Sequence, residues 1–537
     1  VTIKQWGLAG LAAVAVIAGG CSGRNSEPEG QILHVNLAAE VQDLDPHIVT
    51  GVPEHRALSA LFEGLADLNP ATLQPEPAAA ESWAISDDQL TYTFTMRADA
   101  KWSNGDPVRA QDFEFSWKRI LSPALASEYS YMLHHIKGAK AYNDGTETDW
   151  STVGVKATDD RTLVVTLENP TPYFLDMLFH QAYMPVHPAT VEQFGRADQR
   201  GSKWTLAGNH VSNGPFKLVE WFPQEHFLVK KNEHYWGADS VRLDGIKFYP
   251  IDDNLTEERS FRTGQLHMTE TMPLHKIEVY RRDNPEVLQV RPYLGNYFYR
   301  FNVTRKPLND VRVRQALNMA IDRERITREV LKANAQPAFN LTPPGTAGYT
   351  SESKMVYDPE RAKQLLAEAG YPGGKGFPKL DILYNTSDAH ATIAEVLQRM
   401  WKDTLGIEIG LYNQDWKVYL DAMTNLDFDI CRGSWIGDVV EPLNFLELFL
   451  TRGGNNRTGW GNPQYDALIQ QAYATPDKSA RHALLQQAEA LLLEEAPILP
   501  LYFYTTKYLV STRVKGLTPN ILDYRRWKDM WLEAPAG

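Results

Sequence analysis

The sequence is poor in cysteine, in clustered positive charge and in hydrophobic runs long enough to cross a bilayer comfortably. Only two cysteines, Cys21 and Cys431, occur in 537 residues, which excludes a disulfide framework, a cysteine-rich metal site and a CxxC redox motif. Cys431 has apolar neighbours and reads as a buried thiol; as a catalytic nucleophile it would need a paired base. Lysine and arginine total 54 against 67 acidic residues, a formal net charge of -13. No basic stripe interleaved with aromatics is present, so a nucleic-acid partner is excluded. The charge balance suits cationic or zwitterionic ligands instead.

Enzyme motifs are lacking as well. The run GGKGF at 373–377 has no Ser or Thr after its lysine to hold magnesium, as a P-loop requires. His134 and His135 are adjacent, so on a helix their side chains point about 100° apart and cannot chelate a metal as an i, i+4 pair does. There is no G-x-S-x-G elbow, and the carboxylate pairs Asp87-Asp88, Asp159-Asp160 and Asp252-Asp253 read as solvated turns. A secreted hydrolase is therefore the weaker class of function. No catalytic residue, metal or cofactor is assigned.

What is present, 43% hydrophobic and 23% charged residues, describes a globular chain of two to four domains. Lys4 precedes an apolar run over 7–20 that ends at Cys21, and Ala18-Gly19-Gly20-Cys21 resembles a bacterial lipobox, with Ala18 where an aliphatic such as leucine is usual. The expectation is a signal peptide over 1–20, a lipid on Cys21 and a flexible tether over 21–30. An uncleaved signal anchor would leave the body on the same, extracytoplasmic side. With Cys21 lipidated, no intramolecular disulfide is available.

Along the body, ILHVNLAAEV from Ile32 alternates as an opening strand, and Leu58, Leu61, Phe62 and Leu65 define one face of a helix over 53–65. LTYTFTMR at 90–97 alternates as a half-buried strand. Asn104-Gly105 supplies a turn, and Ala110, Phe113, Trp117 and Leu121 are spaced for an amphipathic helix. Further on, RGSWIGDVVEP at 432–442 sets an arginine, an indole and a carboxylate within seven residues. Asp438 lies between a glycine and two valines, where a carboxylate needs a partner. Taken locally, two readings stay open: a structural salt bridge in a strand-end loop, or a receptor for the ammonium of a ligand with Trp435 walling its side chain.

The stretch ADAKWSNGDPVRAQDF at 98–113 resembles the signature A-x-x-W-S-N-G-x-P-V-x-A-x-D-F of the family-5 extracellular solute-binding proteins of ABC importers. Arg109 departs from it, where a hydroxyl would cap the helix with Asp112 bonding back, a loss of about 1 kcal/mol. Further segments resemble the oligopeptide-binding members in the expected order, among them SEYSYMLHHI, SNGPFKLVEW, NDVRVRQALNMAIDRERI, NQDWKVYL, RGSWIGD and LPLYFYTTKYLV. The resemblance implies an α/β, bilobal fold of the large type, with mixed sheets flanked by helices and lobes hinged near Pro292 and Thr505. The first lobe would comprise 31–64, 189–292 and 506–537, an extra domain 65–188, and the second lobe 293–505.

It also implies a function: a lipid-anchored, monomeric receptor that clamps short peptides of about two to five residues and delivers them to the transmembrane subunits of an ABC permease, by lobe closure. Asp438 would meet the peptide ammonium, and Arg432, His390 and Lys306 would meet its carboxylate at different ligand lengths. Trp435 and Trp416 would line side-chain pockets, Tyr129 and Tyr504 the cleft walls, and Tyr293 the region of the crossing. Two departures bear on the ligand: Thr50 replaces an acid near the cleft, and Met423 replaces an arginine that helps with the carboxylate of shorter ligands. Murein peptides, dipeptides, nickel chelates and haem are alternative ligands on the same fold.

Overall fold

Alternation builds the first sheet in the computed structural model, which describes residues 30–331 and 335–534. In the strand Ile32–Asn36, Leu33 and Val35 are fully buried while Ile32 and His34 are half-buried, as a strand with one face on a core requires. This strand pairs in parallel with Gly245–Tyr249, which is followed antiparallel by His226–Lys231 and Phe216–Phe222. The helix Val52–Leu61 buries Leu58 and Leu61 and packs on the Phe216–Phe222 edge. The expected signal peptide, the lipid site Cys21 and all of the tether except Gly30 lie outside the described residues.

A second four-stranded sheet, entirely antiparallel, is ordered Ala80–Ile85, Thr91–Met96, Thr162–Thr166, Val155–Ala157. Tyr92, Phe94 and Met96 point to the core and the threonines between them are half-buried. The helix Ala110–Ile120 buries Ala110, Phe113, Trp117 and Ile120, and the Trp117 indole donates to the Tyr183 carbonyl at 3.0 Å. Its start survives the missing hydroxyl at Arg109. Asp112 Oδ2 accepts both the Arg109 backbone N–H and the Trp102 indole N–H, each at 2.9 Å, so the acid's half of the capping arrangement remains. Farther along, Arg119 makes a fork onto both oxygens of Asp45, with side chains 0 and 2% exposed.

The third sheet has six strands, in the order Gln336–Pro337, Ile498–Leu509, Leu288–Phe301, Ile430–Ile436, Leu380–Asn385, Ile409–Gln414. Its two longest strands pair antiparallel, Pro292 opposite Thr505, and then shift register before Asn296 opposite Phe503. On the Leu288–Pro292 side of that shift the ribbon leaves the sheet, and Met268 bridges both Val35 of the first sheet and Val510 at the ribbon's outer end. Helices Val311–Met319, Pro359–Glu368 and Asp388–Leu405 cover the sheet over a core of Tyr297, Leu317, Ile382 and Trp401. The whole is the α/β, bilobal architecture of mixed sheets flanked by helices. From Gln31 onward the chain is one compact unit. No helix among the described residues is long and apolar enough to cross a membrane.

Candidate functional site

The strand Ile430–Ile436 carries RGSWI and runs antiparallel to Leu288–Phe301, with Arg432 opposite Tyr299 and Trp435 opposite Asn296. Its end opens on a cavity with about 1070 Å3 of empty space, bounded across from it by residues 50–59 and 522–525 and by Tyr129, Phe179 and His180. Asp438, Arg432, Trp435, Trp416, Tyr129 and Tyr293 all line this cavity. Two glycines make it possible. A Cβ on Gly51 would lie 1.9 Å from the Glu54 carboxyl and 3.0 Å from the Trp416 ring, and one on Gly433 would lie 2.4 Å from Arg300 Nη1.

Among the described residues, Asp438 has no lysine or arginine partner. Its Oδ1 lies 3.2 Å from His180 Nε2, with the aspartate side chain 13% exposed. Its backbone N–H donates to Asn444 Oδ1 at 2.8 Å, and the Asn444 amide returns a long bond of 3.3 Å to Oδ2. Asn444 Oδ1 also accepts the Trp435 indole N–H at 3.2 Å. Tyr129 packs edge-on against His180 and 6.2 Å from the Trp435 ring centre. The carboxylate is thus held by Asn444 and a histidine and lines the cavity.

Arg432 is buried. Its Nη2 donates to the Tyr504 hydroxyl at 2.7 Å, Nη1 reaches Asn385 Oδ1 at 3.4 Å, and the guanidinium lies over the Tyr297 ring. Two further buried arginines, Arg300 and Arg457, line the same cavity. Neither stands out in sequence, because each arrives from a segment with no motif of its own: Arg300 reads as one residue in the strand run YFYRF, and Arg457 as part of a polar loop. The same holds for His180. Burial, with Arg457 and Arg432 nearby, pushes the Arg300 guanidinium down to about 10 against the support of the Tyr419 hydroxyl; it remains charged at neutral pH. Arg56 and Arg525, also in the wall, differ in being matched: both bond Asp523 and Glu270 at 2.6–3.0 Å.

His390 and Tyr504 line an adjoining cavity that shares Arg56, Tyr293 and Asp523 with the first. His390 Nδ1 lies 3.2 Å from the Tyr297 hydroxyl. Burial and the neighbouring Arg432 hold its pKa well below the ordinary value, so in this arrangement it is a neutral imidazole and offers an N–H rather than a charge. Lys306 is exposed, in the loop after Leu288–Phe301, and lines neither cavity. The expected meeting of Lys306 with a carboxylate is therefore the one expectation that the geometry does not bring to the others. Cys431 is fully buried, and its thiol is pushed up to about 12 by that burial, which suits packing and not nucleophilic attack. No cluster of three metal-ligating side chains occurs among the described residues.

Residues 74–457 match the family described as bacterial extracellular solute-binding proteins, family 5. The oligopeptide-binding protein OppA of Bacillus subtilis (strain 168) is 37% identical over 538 residues, covering 96% of this chain and 97% of that protein. The structure of the Escherichia coli murein tripeptide binding protein MppA superposes with a TM-score of 0.90 at 36% identity, covering 94% of this chain and 99% of the other. Its unliganded open form, covering 94% and 98%, gives only 0.63. Haemophilus influenzae OppA in complex with RPPGFSPFR gives 0.88 at 32% identity, covering 94% and 99%. The lobes of this chain are therefore arranged as in the peptide complex and unlike the open form.

Proposed function

The chain belongs to family 5 of the bacterial extracellular solute-binding proteins, and from that membership we propose that it is an extracytoplasmic receptor for short peptides serving an ABC permease. The observation that carries the reading is the cavity itself, with one carboxylate, Asp438, that lacks a lysine or arginine partner among the described residues, and buried guanidiniums that lack an acidic one there. An unblocked peptide supplies both missing charges, an ammonium at one end and a carboxylate at the other. Four residue steps separate Arg432 from the strand end at Ile436, about 13 Å of extended chain, which suits a ligand of about two to five residues.

Each group then has a task. Asp438 receives the ammonium, and Arg432 binds the carboxylate with the planar fork that suits two oxygens. His390 adds a neutral N–H from the adjoining cavity for ligands that extend that way. Trp435 and Trp416 bound side chains without reading them, and Tyr129, Tyr293 and Tyr504 wall the cleft. Ligand contacts to both lobes favour the shut arrangement over the open one, and the Leu288–Phe301 and Ile498–Leu509 ribbon is the element that flexes. The shut form is what the permease subunits recognise. Cys21 carries the lipid that holds the receptor at the membrane, and the protein does no chemistry on its cargo.

Isothermal titration of the purified protein with unblocked peptides of two to five alanines, paired with small-angle scattering, tests this. Saturable binding with a fall in radius of gyration is expected. Binding confined to nickel chelates or haem, or no change of shape with bound peptide, would overturn it.

A further inference from the structure

The cavity holds more positive charge than a peptide's single terminal carboxylate can answer. Arg300, Arg432 and Arg457 are 4, 7 and 7% exposed. Every hydrogen bond recorded for their side chains ends on a neutral atom: Met423 Sδ, Asn385 Oδ1, the Tyr504 hydroxyl and Thr50 Oγ1. The Nε of each is buried without a partner. The other two arginines of the wall are matched by Asp523 and Glu270. Asp438 is then the remaining acid among the residues that line the cavity, and it stands ready for the ammonium. His55, beside His180, is held neutral by burial, its pKa pushed down to about 4.

A peptide with uncharged side chains brings one ammonium and one carboxylate. Shutting the lobes on it leaves two buried guanidiniums with no counter-charge, and buried charge without a partner is costly. Resting on the peptide-receptor reading above, we infer that this site selects peptides carrying at least one carboxylate beyond the terminal one, and that Arg300 and Arg457 are the residues that set this preference.

Of the two departures noted in sequence, Thr50 leaves a positive charge unmatched and Met423 takes one away. Position 50, where the resemblance implies an acid, holds a threonine whose hydroxyl lies 3.5 Å from Arg457 Nη2; an acid there would neutralise that guanidinium from the opposite wall. Position 423, where it implies an arginine, holds a methionine, and the Arg300 guanidinium lies 3.7 Å from its sulfur. The charge absent from the helix Trp416–Thr424 is thus supplied by the neighbouring strand Leu288–Phe301. Gly433 leaves the room for it. The extra carboxylate has two sources, an Asp or Glu side chain in an ordinary peptide or the additional acid groups of the murein tripeptide, and the chemistry recognised is the same.

The test is calorimetry of the purified protein with trialanine, with the three tripeptides that carry one Glu among alanines, with Ala-Lys-Ala and with the murein tripeptide. At least one Glu tripeptide is expected to bind about 10-fold to 100-fold more tightly than trialanine, the range of one charge-assisted hydrogen bond, and Ala-Lys-Ala is expected to bind most weakly. Arg300→Gln should narrow the Glu preference. Thr50→Glu should narrow it independently by pairing Arg457, and thermal unfolding without peptide reports whether either variant is folded. Trialanine binding as tightly as every Glu tripeptide would overturn the inference and leave the peptide receptor standing; no binding of any peptide would overturn both. Binding of the murein tripeptide alone would keep the extra-carboxylate selection and assign it to cell-wall material.

Discussion

Replacing Asp438 by asparagine removes one charge and changes almost no volume, so it isolates the ammonium contact. The amide keeps partners for the groups that already hold the side chain, since His180 and Asn444 each present an atom it can bond. A unit-charge pair about 3 Å apart at an effective dielectric of about 20 attracts by about 5 kcal/mol. Desolvating the ammonium offsets part of that, leaving about 3 kcal/mol, or roughly 100-fold in Kd. The assay is calorimetry with a tripeptide and its N-acetylated form on both proteins. The native protein should prefer the free amine by about 100-fold, and Asp438→Asn should lose most of that preference while binding the acetylated form nearly as the native protein does. If Asp438→Asn still discriminates between the two ligands as strongly, the ammonium is met elsewhere and the assignment of Asp438 fails.

Other outcomes follow from the same geometry. Asp45→Ala leaves the Arg119 guanidinium buried without its carboxylate, and should cost about 3–5 kcal/mol in chemical denaturation. Burial, opposed by the Tyr473 hydroxyl and reinforced by Asp438, pushes Glu447 up to about 8. A carboxyl whose folded pKa is raised contributes stability that is complete below its ordinary value and is lost as pH rises through about 8, so Glu447→Gln should gain on the native protein by up to about 4 kcal/mol between pH 5 and pH 9 in thermal melts. An unchanged difference across that range would mean the carboxyl titrates normally. Gly433→Ala drives a methyl into the space of Arg300 Nη1, and should weaken binding of Glu-containing peptides more than of trialanine in calorimetry.

The elements with local periodicity were legible in the chain. The strand Thr91–Met96 and the helix Ala110–Ile120 each lie within a residue or two of where alternation or helical spacing puts them, and the strand Ile32–Asn36 starts where alternation puts it but ends five residues short of Val41, because burial on one face imposes that period directly. The segment 432–438 was legible as chemistry because one strand and its end carry Arg432, Trp435 and Asp438 in sequence order. Its partners were not. His180 reaches Asp438 from about 260 residues upstream, and Thr50 meets Arg457 from 407 residues away; such pairings depend on tertiary packing that no local pattern encodes. Arg300 was hidden for another reason: inside YFYRF a charged residue reads as the solvent face of a strand, whereas here both faces are covered and the residue is 4% exposed. His390 was placed close to Arg432 by resemblance, but its protonation follows from burial, which sequence does not report.

A receptor that carries short peptides by their charged ends should still hold them when purified. Native mass spectrometry of the protein, followed by release and sequencing of the bound material, should give a mixture of peptides of about two to five residues with free amino termini, enriched in Asp and Glu. A metal complex, a haem, or peptides with blocked amino termini in that cavity would show that charged peptide ends are not what it binds.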